Sequence, residues 1–142
     1  MSVIDNAITR LQAIALECSS SDVTIRSAQA LPTGDAVNLP MSVAHIISGQ
    51  ATAMNKTDLQ FEPVVAVDFH FNRTSLKQAY KEIDAIAIEY PKRLAGDPTL
   101  DGSVDTIQFP VTFEVSPVEW DRVQTQMLRF SVPLKTLETP TT

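Results

Sequence analysis

A chain of 142 residues, 44% hydrophobic and 20% charged, is long enough to bury a real core and short enough to be one domain, residues 1–142. Its net charge of −6, with 11 scattered basic residues of which only Lys92 and Arg93 are adjacent, argues against a protein that grips nucleic acid by its phosphates. No apolar run approaches the roughly 20 residues of a membrane-crossing helix, Asp5 precedes the first basic residue as in no secretion signal, and the single Cys18 excludes an internal disulfide and suits a reducing cytosol.

Residues 2–16 read as a first helix. Ile4, Ala7, Ile8, Leu11, Ile14 and Ala15 share one face, with Ser2 and Asp5 at the positive end. The Ser19–Asp22 cluster ends it. Val23 to Leu31 is strand-like, with Val23, Ile25 and Ala28 or Ala30 as inward candidates, and Pro32 to Pro40 is a loop. Ser42 to Met54 reads as a strand with apolar residues on both faces. After a turn at Asn55–Asp58, the strongest strand runs from Phe61 to Phe71. There Val65, Val67, Phe69 and Phe71 make a wholly apolar face, opposite Val64, Ala66, Asp68 and His70.

The longest amphipathic stretch follows. Leu76, Ala79, Tyr80, Ile83, Ile86, Ala87 and Tyr90 fall at helical spacing. Ser75 with Gln78 makes a capping box, and Thr74 competes as the N-cap. Pro91 predicts a kink or stop, Lys92 and Arg93 suit the negative helix end, and Gly96 suits a left-handed cap. Two more strands, Asp105–Val115 and Arg122–Leu134, read as a hairpin joined by Ser116–Asp121, and residues 136–142 read as a frayed tail. The expected class is α+β: a mixed or antiparallel sheet of about five strands, in meander order, with two helices packed on one face.

Glycine-rich phosphate loops, helix-borne His-Glu-x-x-His and Gly-x-Ser-x-Gly elbows are absent from a chain with four glycines and two histidines. Cys18 reads as a buried, inert thiol. Asp68 and His70 share a strand face and have the chemistry of an acid–base pair or two metal ligands, with His45 as a third member if register allows. The simpler reading is the solvent-facing side of a strand. Asp97, Asp101 and Asp105 surround Gly102 but lack the alternate oxygens and late Glu of a calcium loop, so they read as turn residues. No cofactor or metal is expected. Trp120, flanked by Glu119, Asp121 and Arg122, reads either as a partner anchor or as a lid folded over its own core.

The run Glu89-Tyr90-Pro91-Lys92-Arg93-Leu94-Ala95-Gly96-Asp97-Pro98-Thr99-Leu100-Asp101-Gly102-Ser103-Val104 resembles a pattern in small neck and tail proteins of tailed bacteriophages. There a long helix ends in a hydrophobic residue followed by Asp-Pro-Thr-Leu-x-Gly-x-Val. The stretch Trp120–Lys135 resembles their final strand, and the first helix completes a likeness that covers the layout of most of the chain. The nearest match is the tail terminator family of long-tailed phages.

That resemblance implies a non-enzymatic virion protein of the tail neck, built in the host cytoplasm. Its subunits form a ring, usually a hexamer, that caps the tail tube protein, stops polymerisation and receives the head-closure or connector protein. DNA would pass through the lumen without specific binding, and an acidic chain would limit sticking. A different neck component, head-closure or tail-completion, is the runner-up. A small-ligand binding domain using the Asp68 and His70 face is a third reading. The expected contact residues are Asp97, Leu100, Asp101, Trp120 and Arg122, chosen because they are large or polar groups on connections between rigid elements.

Overall fold

The computed structural model describes residues 3–18, 25, 27–29, 39–120 and 123–138. In chain order these form α1 (Val3–Glu17), β1 (Ser27–Gln29), β2 (Met41–Ala53), β3 (Leu59–Asn72), α2 (Leu76–Ala95), β4 (Thr106–Ile107), β5 (Thr112–Trp120) and β6 (Val123–Glu138). The class is α+β, with both helices packed against the sheet. The described residues hold six strands, in line with the expected sheet of about five, and the sheet is mixed, because β1 runs parallel to β2 while every other pair is antiparallel. None of the described helices is long and apolar enough to cross a membrane.

Period-two alternation builds the core side of this sheet. Val65, Val67, Phe69 and Phe71 on β3 are fully buried, and the β6 residues in register with the first three, Val132, Phe130 and Leu128, are buried with them. Against this face α1 lays Ala7, Leu11, Ile14 and Ala15, and α2 lays Ala79, Ile83, Ile86, Tyr90 and Leu94. The Tyr90 ring packs on Phe69 and Phe130, with centroids 5.2 and 5.0 Å away, and its hydroxyl donates a 3.1 Å hydrogen bond to the Leu11 carbonyl. One side chain therefore ties both helices to the sheet. Cys18 ends α1 inside this layer, and burial pushes its thiol up to about 12, so it is inert.

Several expectations change on contact with the structure. Ser75 is the N-cap, accepting from the Gln78 N–H at 3.3 Å, but the Gln78 side chain donates to Glu82, so the capping box is half made. Of the kink or stop expected at Pro91, the stop does not occur; the helix runs one more turn to Ala95. An interior proline costs about 3 kcal/mol, and full burial of Leu94 and Tyr90 on the core stripe offsets it at about 2 kcal/mol each. Gly96 caps in the right-handed region, φ −80°, not the left-handed one. The stripe on α2 is narrower than its periodicity suggests, since Leu76 and Tyr80 are about half exposed.

The last third differs most. The expected strand over Asp105–Val115 breaks into β4 and β5 around the cis Phe109–Pro110 peptide, and Ser116–Trp120 continues β5 instead of turning. Trp120 pairs with Val123, which closes a hairpin tighter than expected. The meander order is also corrected: β6 lies between β3 and β5. Residues 136–138 are not frayed, because β6 reaches Glu138, pairs Thr136 with Phe61, and buries Thr136. Of the expected loop at Pro32–Pro40 and the strand at Val23–Leu31, most residues lie outside the described ones. Ile25 is buried as expected.

Candidate functional site

Two surfaces stand out, and the sequence pointed toward one of them. On the sheet face away from the helices, register brings together Asp68 and His70 of β3, Val43 and His45 of β2, Met127 and Arg129 of β6, and Glu114, Ser116 and Val118 of β5. They line a cleft of about 510 Å³. Asp68 and His70 are 3% and 6% exposed, so the expected solvent-facing polar side is in fact buried. A buried carboxylate requires a partner, and Arg129, directly across the strand pair, supplies one: Nε donates to Oδ1 at 2.7 Å and Nη2 to Oδ2 at 2.9 Å.

His70 Nδ1 lies 2.8 Å from Thr125 Oγ1, a residue with no exposed surface. Burial pushes the imidazole down to about 4, with Arg129 and His45 adding to the effect and Asp68 opposing it. His70 is therefore neutral at pH 7. With Asp68 committed to Arg129, the pair is not arranged as an acid–base couple, and no group of three ligand-type side chains that would hold a metal occurs among the described residues. His45 joins the cleft in register, and its Nδ1 has no hydrogen-bond partner among the described residues.

A pH effect follows from His70. Between about 4 and the ordinary 6.5 the unfolded chain binds a proton there that the folded chain refuses, so this group lowers stability as pH falls from 6.5 toward 4 and adds nothing further below it. In a proton NMR titration the His70 ring is expected to show a midpoint of about 4. A midpoint near 6.5 would mean that water reaches the ring freely.

The expected contact residues scatter. Asp97 accepts from Arg10 Nε at 2.7 Å and from the Asp101 N–H at 2.9 Å, tying α1 to the turn after α2 and lowering its own carboxyl through the Arg10 bond first. Asp97 thus serves its own turn, as expected, whereas Asp105 accepts from the distant Leu137 N–H and ties the turn to β6. Leu100 is fully buried, which removes its side chain from any contact role in this conformation; its surroundings are Val104, Ile107 and the core. Leu100, Asp101 and Gly102 have φ of 50°, 58° and 80°. Glycine takes that region freely, while the two preceding residues are held there at a cost of about 1 kcal/mol each. Burial of Leu100 and the Asp97 and Thr99 side-chain bonds to the Asp101 and Gly102 N–H groups hold them. Asp101 itself is exposed. The backbone of Trp120 closes the β5–β6 hairpin, while its side chain and the whole of Arg122 lie outside the described residues.

The second surface went unnoticed in the sequence. Beyond Ile46 the sheet continues as a three-stranded arm: β2 from Ser48 to Ala53 pairs with β3 from Leu59 to Val64, and β6 flanks β3 with Pro133 and Thr136–Glu138. All of β2 from Ile46 onward is exposed, and the arm and its turn present Ile46, Ile47, Met54 and Leu137 to solvent at 43–56% exposure. The arm is held by polar contacts, with Glu62 accepting from Gln50, Gln60 and Gln108, and by the Asn55 side chain bonding the Thr57 and Asp58 N–H groups in the turn. Gly49 is required there, since a Cβ would sit 2.9 Å from the Pro63 Cα. The signal available in the sequence was the neutral run after His45, too apolar at Ile46 and Ile47 for a solvent strand.

No protein-family model matches this chain, and no curated protein matches it.

Proposed function

We propose that this chain is a structural subunit of a tailed-phage neck, a tail terminator that assembles as a ring and carries no catalytic chemistry of its own. The observation that supports this best is the arm: a paired, well-registered extension of the sheet that the helices leave uncovered and that exposes Ile46, Ile47, Met54 and Leu137. Exposed apolar groups gathered on one rigid element are what an assembling subunit buries against its neighbours. The resemblance of residues 89–104 to phage neck proteins gives that subunit its setting. The ring would cap the tail tube, end its growth and present a surface to the head connector, and the net charge of −6 would keep passing DNA from adhering.

A head-closure or tail-completion protein shares this style of sequence and is the alternative within the same class. The cleft over Asp68 and His70 favours a second reading, a small-ligand binding domain, because its volume lies within the usual range of ligand pockets. Light scattering over a concentration series, with negative-stain images, separates them. The expected result is a closed annular species of six copies of the 15.6 kDa chain. A chain that stays monomeric alone and in the presence of purified tail tubes would sink the ring reading and leave the cleft as the site to pursue.

A further inference from the structure

We infer that, in the ring proposed above, neighbouring subunits join by continuing the sheet: the outer edge of the β2 arm in one copy takes the outer edge of β5 in the next. The inference rests on the ring reading. The sheet has two long edges of different kinds. Among the described residues, the outer side of β2 is covered only at Met41–Val43, by β1, and from Ser48 to Ala53 no described strand lies on that side. On β5, nine residues pair with β6 and nothing described pairs with their other side.

Free edges are usually guarded by charge, proline or a covering segment. The segment Ser48-Gly49-Gln50-Ala51-Thr52-Ala53 has neither charge nor proline. It lies past the register shift at Ile47, in regular pairing with β3, and its side chains are mostly small enough for another strand to approach. Among the described residues this edge is regular and unguarded, the kind to which a further strand adds.

On the other edge Glu114, Pro117 and Glu119 guard most of β5, so the strand that meets β2 is its Thr112–Phe113 end, which has neither charge nor proline. Phe113 on β5 is 55% exposed on the helix-bearing side of the sheet, the same side as Ile46 by register, so a continued sheet would carry both apolar groups on one face. Because β2 and β5 lie on opposite flanks, each copy offers one donor edge and one acceptor edge. Such a head-to-tail contact closes into a ring when its rotation permits. A β2–β2 contact would instead stop at a two-fold dimer.

Two variants test this, each spoiling one edge at exposed positions: Ser48→Glu with Thr52→Glu on β2, and Thr112→Glu with Phe113→Glu on β5. Each alone is expected to run as a monomer where the unaltered chain forms rings. Mixed, they are expected to form only a species of twice the 15.6 kDa chain mass, because one good junction remains. That dimer also proves both variants folded. Rings that persist in either variant, or a mixture that stays monomeric while circular dichroism shows both folded, would overturn the edge pairing and leave the ring reading intact. A dimer of the β5 variant by itself would overturn it in favour of β2–β2 contact. An unaltered chain that never assembles would overturn both.

Discussion

Replacing Phe130 with alanine is expected to destabilise the fold by about 4 kcal/mol, measured as a shift in the urea unfolding midpoint with little change in slope. Phe130 has no exposed surface and stands at the centre of the layer between sheet and helices. Its ring centroid lies 5.8 Å from Phe69, 5.0 Å from Tyr90 and 5.9 Å from Phe113. The strands on either side fix its neighbours at Val67 and Phe113, so the backbone cannot collapse into the space the ring leaves. Lost transfer energy and the residual cavity therefore add. Phe113→Ala is the internal comparison: that ring touches the same cluster but is half exposed, and its truncation is expected to cost about 1 kcal/mol. Equal costs for the two would show that the cluster is not the centre of the core.

Arg129→Met is expected to cost roughly 3–5 kcal/mol, although Arg129 is itself partly exposed. The reason lies in what the change leaves behind. Asp68 keeps its place on the central strand with a side chain 5% exposed, and the methionine removes both hydrogen bonds that hold its charge. The neighbours remaining in the cleft include Glu114, whose own negative charge repels a carboxylate rather than balancing it. Removing both charges, as Asp68→Val with Arg129→Met, is expected to recover most of the loss, since a pair replaced by apolar groups of similar size is often neutral. Arg129→Lys should fall between the two, keeping the charge and losing the two-pronged geometry. If Arg129→Met unfolds at the same urea concentration as the unaltered chain, water reaches Asp68 and the cleft is open to its floor.

These two changes probe opposite faces of one sheet; neither touches the β2 edge of the proposed junction, but the Phe130 ring packs on Phe113 at its β5 edge. A variant weakened at Arg129 but still folded should therefore form rings at low temperature, whereas the β2-edge variant, altered only at exposed Ser48 and Thr52, should be stable and fail to form them. Stability and assembly are separable here because the arm is attached to the core through β3 and β6 but is not buried in it.

Local chemistry was legible in the sequence wherever one element carried its own signal. The apolar faces of α1 and β3, the Ser75 cap, the buried Ile25 and the turn at Asn55 each follow from period, side-chain type or a hydrogen bond spanning a few residues. Asp97, bonded to the Asp101 N–H four residues on, is a turn residue for the same reason. What the tertiary structure decided depends on pairing between distant segments. Asp68 and Arg129 are 61 positions apart, and His70 and Thr125 are 55 apart; only the insertion of β6 beside β3 turns a polar strand face into a buried cleft. The interior place of Leu100, the extra turn of α2 past Pro91 and the uncovered edge at Ser48–Ala53 have the same origin. Periodicity reports which residues share a face, but burial is set by what lies against that face, and that is a property of the whole sheet.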